Sequence, residues 1–122
     1  MTKILVIDDE PTLRQEIVEL LMFEDYESVG AADGRTGIDY VLQNETDLIL
    51  CDLTMPGMDG YAVLAELRAK PETAKIPFIF MTARATQEDI RQGLALGANH
   101  YITKPFYHKD LLQAIEECLK KR

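Results

Sequence analysis

Four short apolar runs without strict polar alternation constrain this chain most: KILVI at 3–7, DLILC at 47–51, PFIFM at 77–81 and HYIT at 100–103. Continuous apolar strands suit a parallel sheet covered on both faces. YESVGAA at 26–32 reads as a fifth, weaker strand at an edge. Between these runs the apolar residues follow helical spacing. Leu13, Ile17, Leu20 and Leu21 form one such set, continued in register by Glu24. Ile38, Val41 and Leu42 form a second, Val63, Leu64 and Leu67 a third, Ile90 and Leu94 a fourth, and Leu111, Leu112, Ile115 and Leu119 a fifth.

Boundary signals agree with this division. Thr86 with Asp89 resembles a capping box, Gly97 suits a helix C-terminus, and Pro56-Gly57 marks a loop. The order is therefore (βα)5. Strand and helix in alternation give an α/β fold with right-handed crossovers, so all strand C-termini open on one edge, where ligands bind. At 122 residues the chain fits one domain, 1–122, with about two-thirds of its unfolded surface buried on folding. KPETAKIP at 70–77 is the polar loop of note, and Lys120, Lys121 and Arg122 suit a helix C-terminus, where cations oppose the dipole.

With 21 acidic and 13 basic residues the net charge is −8, which disfavours nucleic acid and anionic membrane as partners and favours proteins or cations. Cys51 and Cys118 lack CxxC spacing and read as small buried hydrophobes. With no secretory or membrane-spanning run, a reducing, cytoplasmic setting is expected.

The polar residues that end the strands form a constellation. Asp8 and Asp9 follow the first strand, Asp52 the third, Thr82 the fourth and Lys104 the fifth. Singly, each has an ordinary reading: Asp9 as a cap for a helix beginning near Pro11, Thr82 and Lys104 as loop residues. Their joint occurrence at one edge points to chemistry.

Here the sequence resembles the receiver domains of two-component response regulators, from the first strand to the last helix. The resemblance is carried by the acidic pair in IDDEP, Asp52 in CDLTMPGMDG, MTA around Thr82, and YITKPF with Tyr101 and Lys104. It implies a doubly wound, flavodoxin-like fold: a five-stranded parallel sheet of order 2-1-3-4-5 with helices on both faces.

Adjacent first and third strands would bring Asp8, Asp9 and Asp52 together. Two like charges about 4 Å apart repel by roughly 4 kcal/mol at an effective dielectric near 20. Lys104 alone cannot offset three carboxylates. Either one is protonated or a divalent cation enters, and oxygen-only ligands favour Mg²⁺, with Mn²⁺ as a substitute. The resemblance implies metal ligands from the side chains of Asp9 and Asp52 and the backbone carbonyl of Thr54, with Asp8 acting partly through water.

The function implied is that of a phosphoacceptor in a two-component system or phosphorelay. Asp52 takes a phosphoryl group from the phosphohistidine of a sensor histidine kinase or phosphotransfer protein, with Mg²⁺ and Lys104 assisting and a cis Lys104–Pro105 bond. Such a protein is a regulator and not an enzyme in the ordinary sense, although it assists its own phosphorylation and autodephosphorylation. Thr82 and Tyr101 are the implied switch pair. They alter the surface of the fourth helix, fifth strand and fifth helix toward an effector. Oligomeric state is open: the face that includes Ile90, Arg91, Lys109 and Asp110 is equally a candidate for a phosphorylation-dependent homodimer and for a solvated helix surface.

Two positions depart from the family pattern. Tyr107 stands where Ser or Asp often caps the fifth helix, which suggests that Tyr107 and His108 are kept exposed for a partner. His100 replaces an acidic residue and reads as a solvated histidine. Three other functions fit these residues less well. A haloacid-dehalogenase-type phosphatase needs a second acid two residues after the nucleophile, where this chain has Thr54. An FMN-binding flavodoxin needs a phosphate-cradling first loop, where IDDEP offers carboxylates. A docking module that is never phosphorylated would not need all five strand-end residues.

Overall fold

The computed structural model describes residues 1–84 and 86–121. Ten elements alternate: β1 (Lys3–Ile7), α1 (Pro11–Phe23), β2 (Glu27–Ala31), α2 (Gly34–Gln43), β3 (Leu48–Asp52), α3 (Gly60–Arg68), β4 (Phe78–Thr82), α4 (Gln87–Ala95), β5 (His100–Thr103) and α5 (His108–Lys120). The strands pair in parallel in the order β2-β1-β3-β4-β5. That is the (βα)5 doubly wound sheet the sequence and its resemblance led us to expect.

The period-two geometry of each strand divides its side chains between two cores. Leu5, Ile7, Ile49, Cys51, Phe78 and Phe80 meet Ile38 and Val41 of α2 and Val63, Leu64 and Leu67 of α3. Their neighbours Ile4, Val6, Leu48, Leu50, Ile79 and Met81 meet Ile17 and Leu21 of α1 and Leu111 and Ile115 of α5. Burial on both faces explains why β1, β3 and β4 read as unbroken apolar runs. The edge strand β2 buries only Ala31 fully.

The structure corrects several details. β3 and β4 each run one residue later than their apolar runs, taking in Asp52 and Thr82 as buried strand ends. Leu42 and Leu94 are exposed, and Ile90 is only half-buried. In α4 the buried residue is Gly93, where a Cβ would stand 3.1 Å from the Phe80 ring and 3.3 Å from Tyr101. A small residue there lets α4 approach the sheet closely, so its apolar side chains flank the contact instead of filling it. In the 70–77 loop Thr73 is buried, with Oγ1 donating to the Leu67 carbonyl at 2.5 Å.

Helix ends follow their capping chemistry. Glu10, not Asp9, caps α1, accepting the Leu13 N–H, with Pro11 opening the helix. Thr86 accepts the Asp89 N–H at 3.1 Å and donates its hydroxyl to Asp89 Oδ2 at 2.8 Å. Gly97 follows α4 at φ +110°, in the region that favours glycine. Tyr107 precedes α5 without a side-chain cap. Lys120 ends α5 and Lys121 follows it, while Arg122 lies outside the described residues. Both cysteines are free and buried. No helix among the described residues is long and apolar enough to cross a membrane.

Candidate functional site

The C-terminal ends of β1, β3 and β5 converge on one acidic cluster. Asp8 and Asp9 leave β1, Asp52 closes β3, and one carboxylate oxygen from each lies within 4.8 Å of the others. The adjacency of β1 and β3 produces this, since Ile7 pairs with Cys51 and the next residue on each strand is an aspartate. Asp8 is fully buried and Asp52 nearly so, whereas Asp9 is exposed. Asp8 is tied from both carboxylate oxygens: Oδ1 accepts the Glu10 N–H at 2.9 Å and Oδ2 accepts Lys104 Nζ at 3.0 Å.

Lys104 arrives from the end of β5, after a backbone bond from its N–H to the Thr82 carbonyl at 2.8 Å. Its ammonium also lies 3.3 Å from Asp52 Oδ2, and the Lys104–Pro105 bond is cis. Desolvation opposes the charge on Lys104, but its hydrogen bond to Asp8 and the charges of Asp52 and Asp8 prevail and hold its pKa above the usual lysine value. The Asp52 pKa is raised too, but for an acid that disfavours the charged form. Burial pushes its carboxyl above the usual aspartate range and repulsion from Asp8 adds to this, against the pull of Lys104 and the Thr54 N–H, which donates to Oδ1 at 3.3 Å.

Thr82 is buried at the end of β4, and its Oγ1 accepts the Arg84 N–H at 3.3 Å. Phe80, two residues back on the same face, packs at 5.8 Å against the ring of Tyr101, its partner across β5. Tyr101 is half-buried and its hydroxyl donates to the Arg84 carbonyl at 2.8 Å. His100 differs from the solvated histidine expected: it opens β5, and its Nδ1 accepts the Tyr101 N–H at 2.9 Å. Beside Lys104 a groove of about 440 Å³ is lined by Leu13, Ile17, Leu20, Phe106 and His108, while Tyr107 projects from the chain at 75% exposure.

Two residues that shape this site carry no obvious sequence signal. Arg84 pairs with Asp89 at 2.7 Å, while its backbone ties both Thr82 and Tyr101. At Gly60, a Cβ would stand 2.5 Å from the Asp52 carbonyl oxygen and 2.8 Å from Leu53 Cα. Its position directly after Asp59, at the start of a helix, was the available hint.

The donor set suits a hard divalent cation. Three aspartates supply only oxygen, two of them in buried positions, and a single ammonium leaves their charge uncompensated. The fold and this cluster together define a doubly wound α/β domain with an acidic site at the switch point between its strands.

Comparison with known proteins agrees. The sequence model of the response regulator receiver domain matches residues 4–116. The chain is 38% identical over 119 residues to the transcriptional regulatory protein RprY of Bacteroides fragilis (strain YCH46), covering 98% of this chain and 50% of that protein. It is 39% identical to the probable transcriptional regulator ycf27 of Porphyridium aerugineum, covering 98% of this chain and 48% of that one. This chain thus spans about half the length of the curated relatives it matches. Among solved structures, chemotaxis protein CheY4 of Vibrio cholerae superposes with a TM-score of 0.93 at 30% identity, covering 98% of this chain and 99% of that one. The chain belongs to the family of receiver domains of two-component response regulators.

Proposed function

We propose that Asp52 is the phosphoacceptor of this receiver and that Asp8, Asp9 and Asp52, with the Thr54 backbone carbonyl, hold Mg²⁺ or, in its place, Mn²⁺. The observation that carries the reading is the convergence of three carboxylates and Lys104 at one edge of the sheet. When bound, the cation supplies the positive charge that phosphoryl transfer needs and that Lys104 alone does not.

An Asp52 carboxylate oxygen attacks the phosphorus of a phosphohistidine on a sensor kinase or phosphotransfer protein. A P–O bond forms, the P–N bond breaks, and the electron pair returns to the imidazole. Lys104, poised between Asp8 and Asp52, pairs with a phosphoryl oxygen in the product. Among the described residues the Thr82 hydroxyl accepts the Arg84 N–H and donates to none, so its proton is available for another phosphoryl oxygen. Water later attacks the phosphorus of the acyl phosphate, the bond to the Asp52 oxygen breaks, inorganic phosphate leaves and the carboxylate is restored, a step the same Mg²⁺-binding residues and Lys104 assist.

The arrangement of the strand-end residues supports a switch of the kind the family resemblance implies. Thr82, Phe80 and Tyr101 share one face of the sheet beneath α4, so a shift of Thr82 toward the phosphoryl group opens room for Tyr101 to turn inward. That changes the surface of α4, β5 and α5 toward an effector protein or a second copy of the chain. Its free, buried thiols support a reducing, cytoplasmic setting.

The test is intact mass after incubation with acetyl phosphate or phosphoramidate. One added phosphoryl group is expected with Mg²⁺, none in Asp52→Asn and none in chelator; uptake that persists in chelator contradicts the metal role.

A further inference from the structure

Of the three acids, Asp9 is the one whose carboxylate no described residue holds. Among the described residues it makes no side-chain hydrogen bond and no ion pair, whereas Lys104 engages Asp8 and Asp52. Yet the exposed Asp9 carboxylate lies in the cluster. Its direction is therefore set by the backbone, and above all by the Asp8–Asp9 peptide.

That peptide is clamped by Arg14. The Asp8 N–H makes the last bond of the β1–β2 ladder, to the Ala31 carbonyl at 3.1 Å. The Asp8 carbonyl, beyond the end of β1, instead accepts Arg14 Nη1 at 2.8 Å. Arg14 reaches it from the first turn of α1 with its stem laid over Gly30 of β2, where a Cβ would stand 3.1 Å from both Cγ and Cδ of the arginine. Among the described residues no carboxylate lies within ion-pair distance of the guanidinium. Its specific contact is thus a directional one, made to the peptide that orients Asp9.

We propose that Arg14 is a positioning residue of the cation site: its bond to the Asp8 carbonyl fixes the peptide that aims the Asp9 carboxylate, and Gly30 leaves the room its stem occupies. This rests on the reading of the aspartates as a Mg²⁺ site. Positioning and charge predict opposite signs. A cation beside the site repels Mg²⁺, so removing Arg14 would tighten binding if charge alone mattered. Losing the clamp weakens it, as removal of the groups that orient metal ligands does.

The experiment is calorimetric titration of Mg²⁺ into the full chain as wild type, R14M, R14K, G30A and R14M/G30A, with urea unfolding of each in metal-free buffer. R14M keeps the stem and loses the donor, so its affinity is expected to fall about tenfold. R14K, which restores a donor, recovers much of the loss. G30A weakens binding severalfold in the wild-type background and adds nothing to R14M. R14M binding as tightly as wild type, or more tightly, overturns the proposal. If R14M does not fold, G30A decides: unchanged affinity overturns it and weakened affinity supports it. A wild type that takes up no Mg²⁺ removes the cation site itself, whereas Mg²⁺ binding that ignores Arg14 removes only this inference.

Discussion

Lys104 Nζ stands 3.3 Å from Asp52 Oδ2, an ion pair at the end of β3 made by a lysine that arrives from the end of β5. The same ammonium is 3.0 Å from Asp8 Oδ2, so one cation serves two buried carboxylates. Lys104→Met would leave both without it. Breaking a buried pair costs several kcal/mol, and with the Lys104 side chain 19% exposed the expected loss is smaller, about 2 kcal/mol by urea unfolding at neutral pH without metal. Mg²⁺ should recover part of it. After phosphorylation, Lys104→Ala is expected to weaken the surface response; an unaltered phosphorylated state would count against the pairing.

Asp52 makes a pH prediction whose sign runs opposite to that of a salt-bridged acid. Its folded pKa is raised, chiefly by burial, so the native state binds its proton more tightly than the unfolded chain does. Ionising Asp52 therefore costs stability: the cost is absent below the unfolded value near 3.8, grows as pH rises through the folded value, and is complete above it. Asp52→Asn should stabilise the metal-free protein at pH 7, by on the order of 1 kcal/mol, and the gain should shrink in acid. A variant less stable than wild type at pH 7 without metal would contradict this.

Gly60→Ala tests the close approach of α3 to β3. The added methyl meets backbone at Asp52 and Leu53, which cannot rotate away as a side chain can. A loss of about 2 kcal/mol is expected from such overpacking. Because the Asp52 backbone is what moves, phosphoryl uptake should slow as well, and an unchanged uptake rate would show that Asp52 tolerates the shift.

Tyr101→Phe removes the hydroxyl that holds the Arg84 carbonyl while keeping the ring against Phe80. About 1 kcal/mol of stability is expected to go with that bond. Burial, with Tyr61 and Asp89 nearby, pushes the Tyr101 phenol up to about 12. The difference between wild-type and Tyr101→Phe absorbance titrations should therefore show one phenol ionising last. Phosphoryl uptake should be unchanged.

Tyr107→Ser supplies α5 with the cap it lacks and should add about 1 kcal/mol by thermal or urea unfolding. If it also leaves kinase and effector binding unchanged, the idea that Tyr107 and His108 are exposed for a partner is lost.

How far the sequence could be read follows from where polarity and burial coincide. β1, β3 and β4 were legible because both their faces are covered, so almost every residue is apolar. The apolar pattern stops one residue before the C-terminal ends of β3 and β4 because Asp52 and Thr82 are polar yet buried. The acid cluster was visible because its members end strands. The order of those strands came with the family resemblance, not with the alternation. α4 misled because its contact is made by Gly93, a residue with no side chain to enter an apolar period. Arg14 and Gly60 act through a backbone carbonyl and a backbone approach, which leave no trace in hydrophobic pattern or charge.

Folding should leave Asp52 free to become an acyl phosphate. Borohydride reduction after reaction with acetyl phosphate and Mg²⁺ tests this most directly, because it converts an aspartyl phosphate to homoserine. Peptide mass mapping should then find homoserine at position 52 and at no other aspartate. Homoserine at Asp8 or Asp9 in its place, or none in folded protein after prolonged exposure to donor and Mg²⁺, would contradict it.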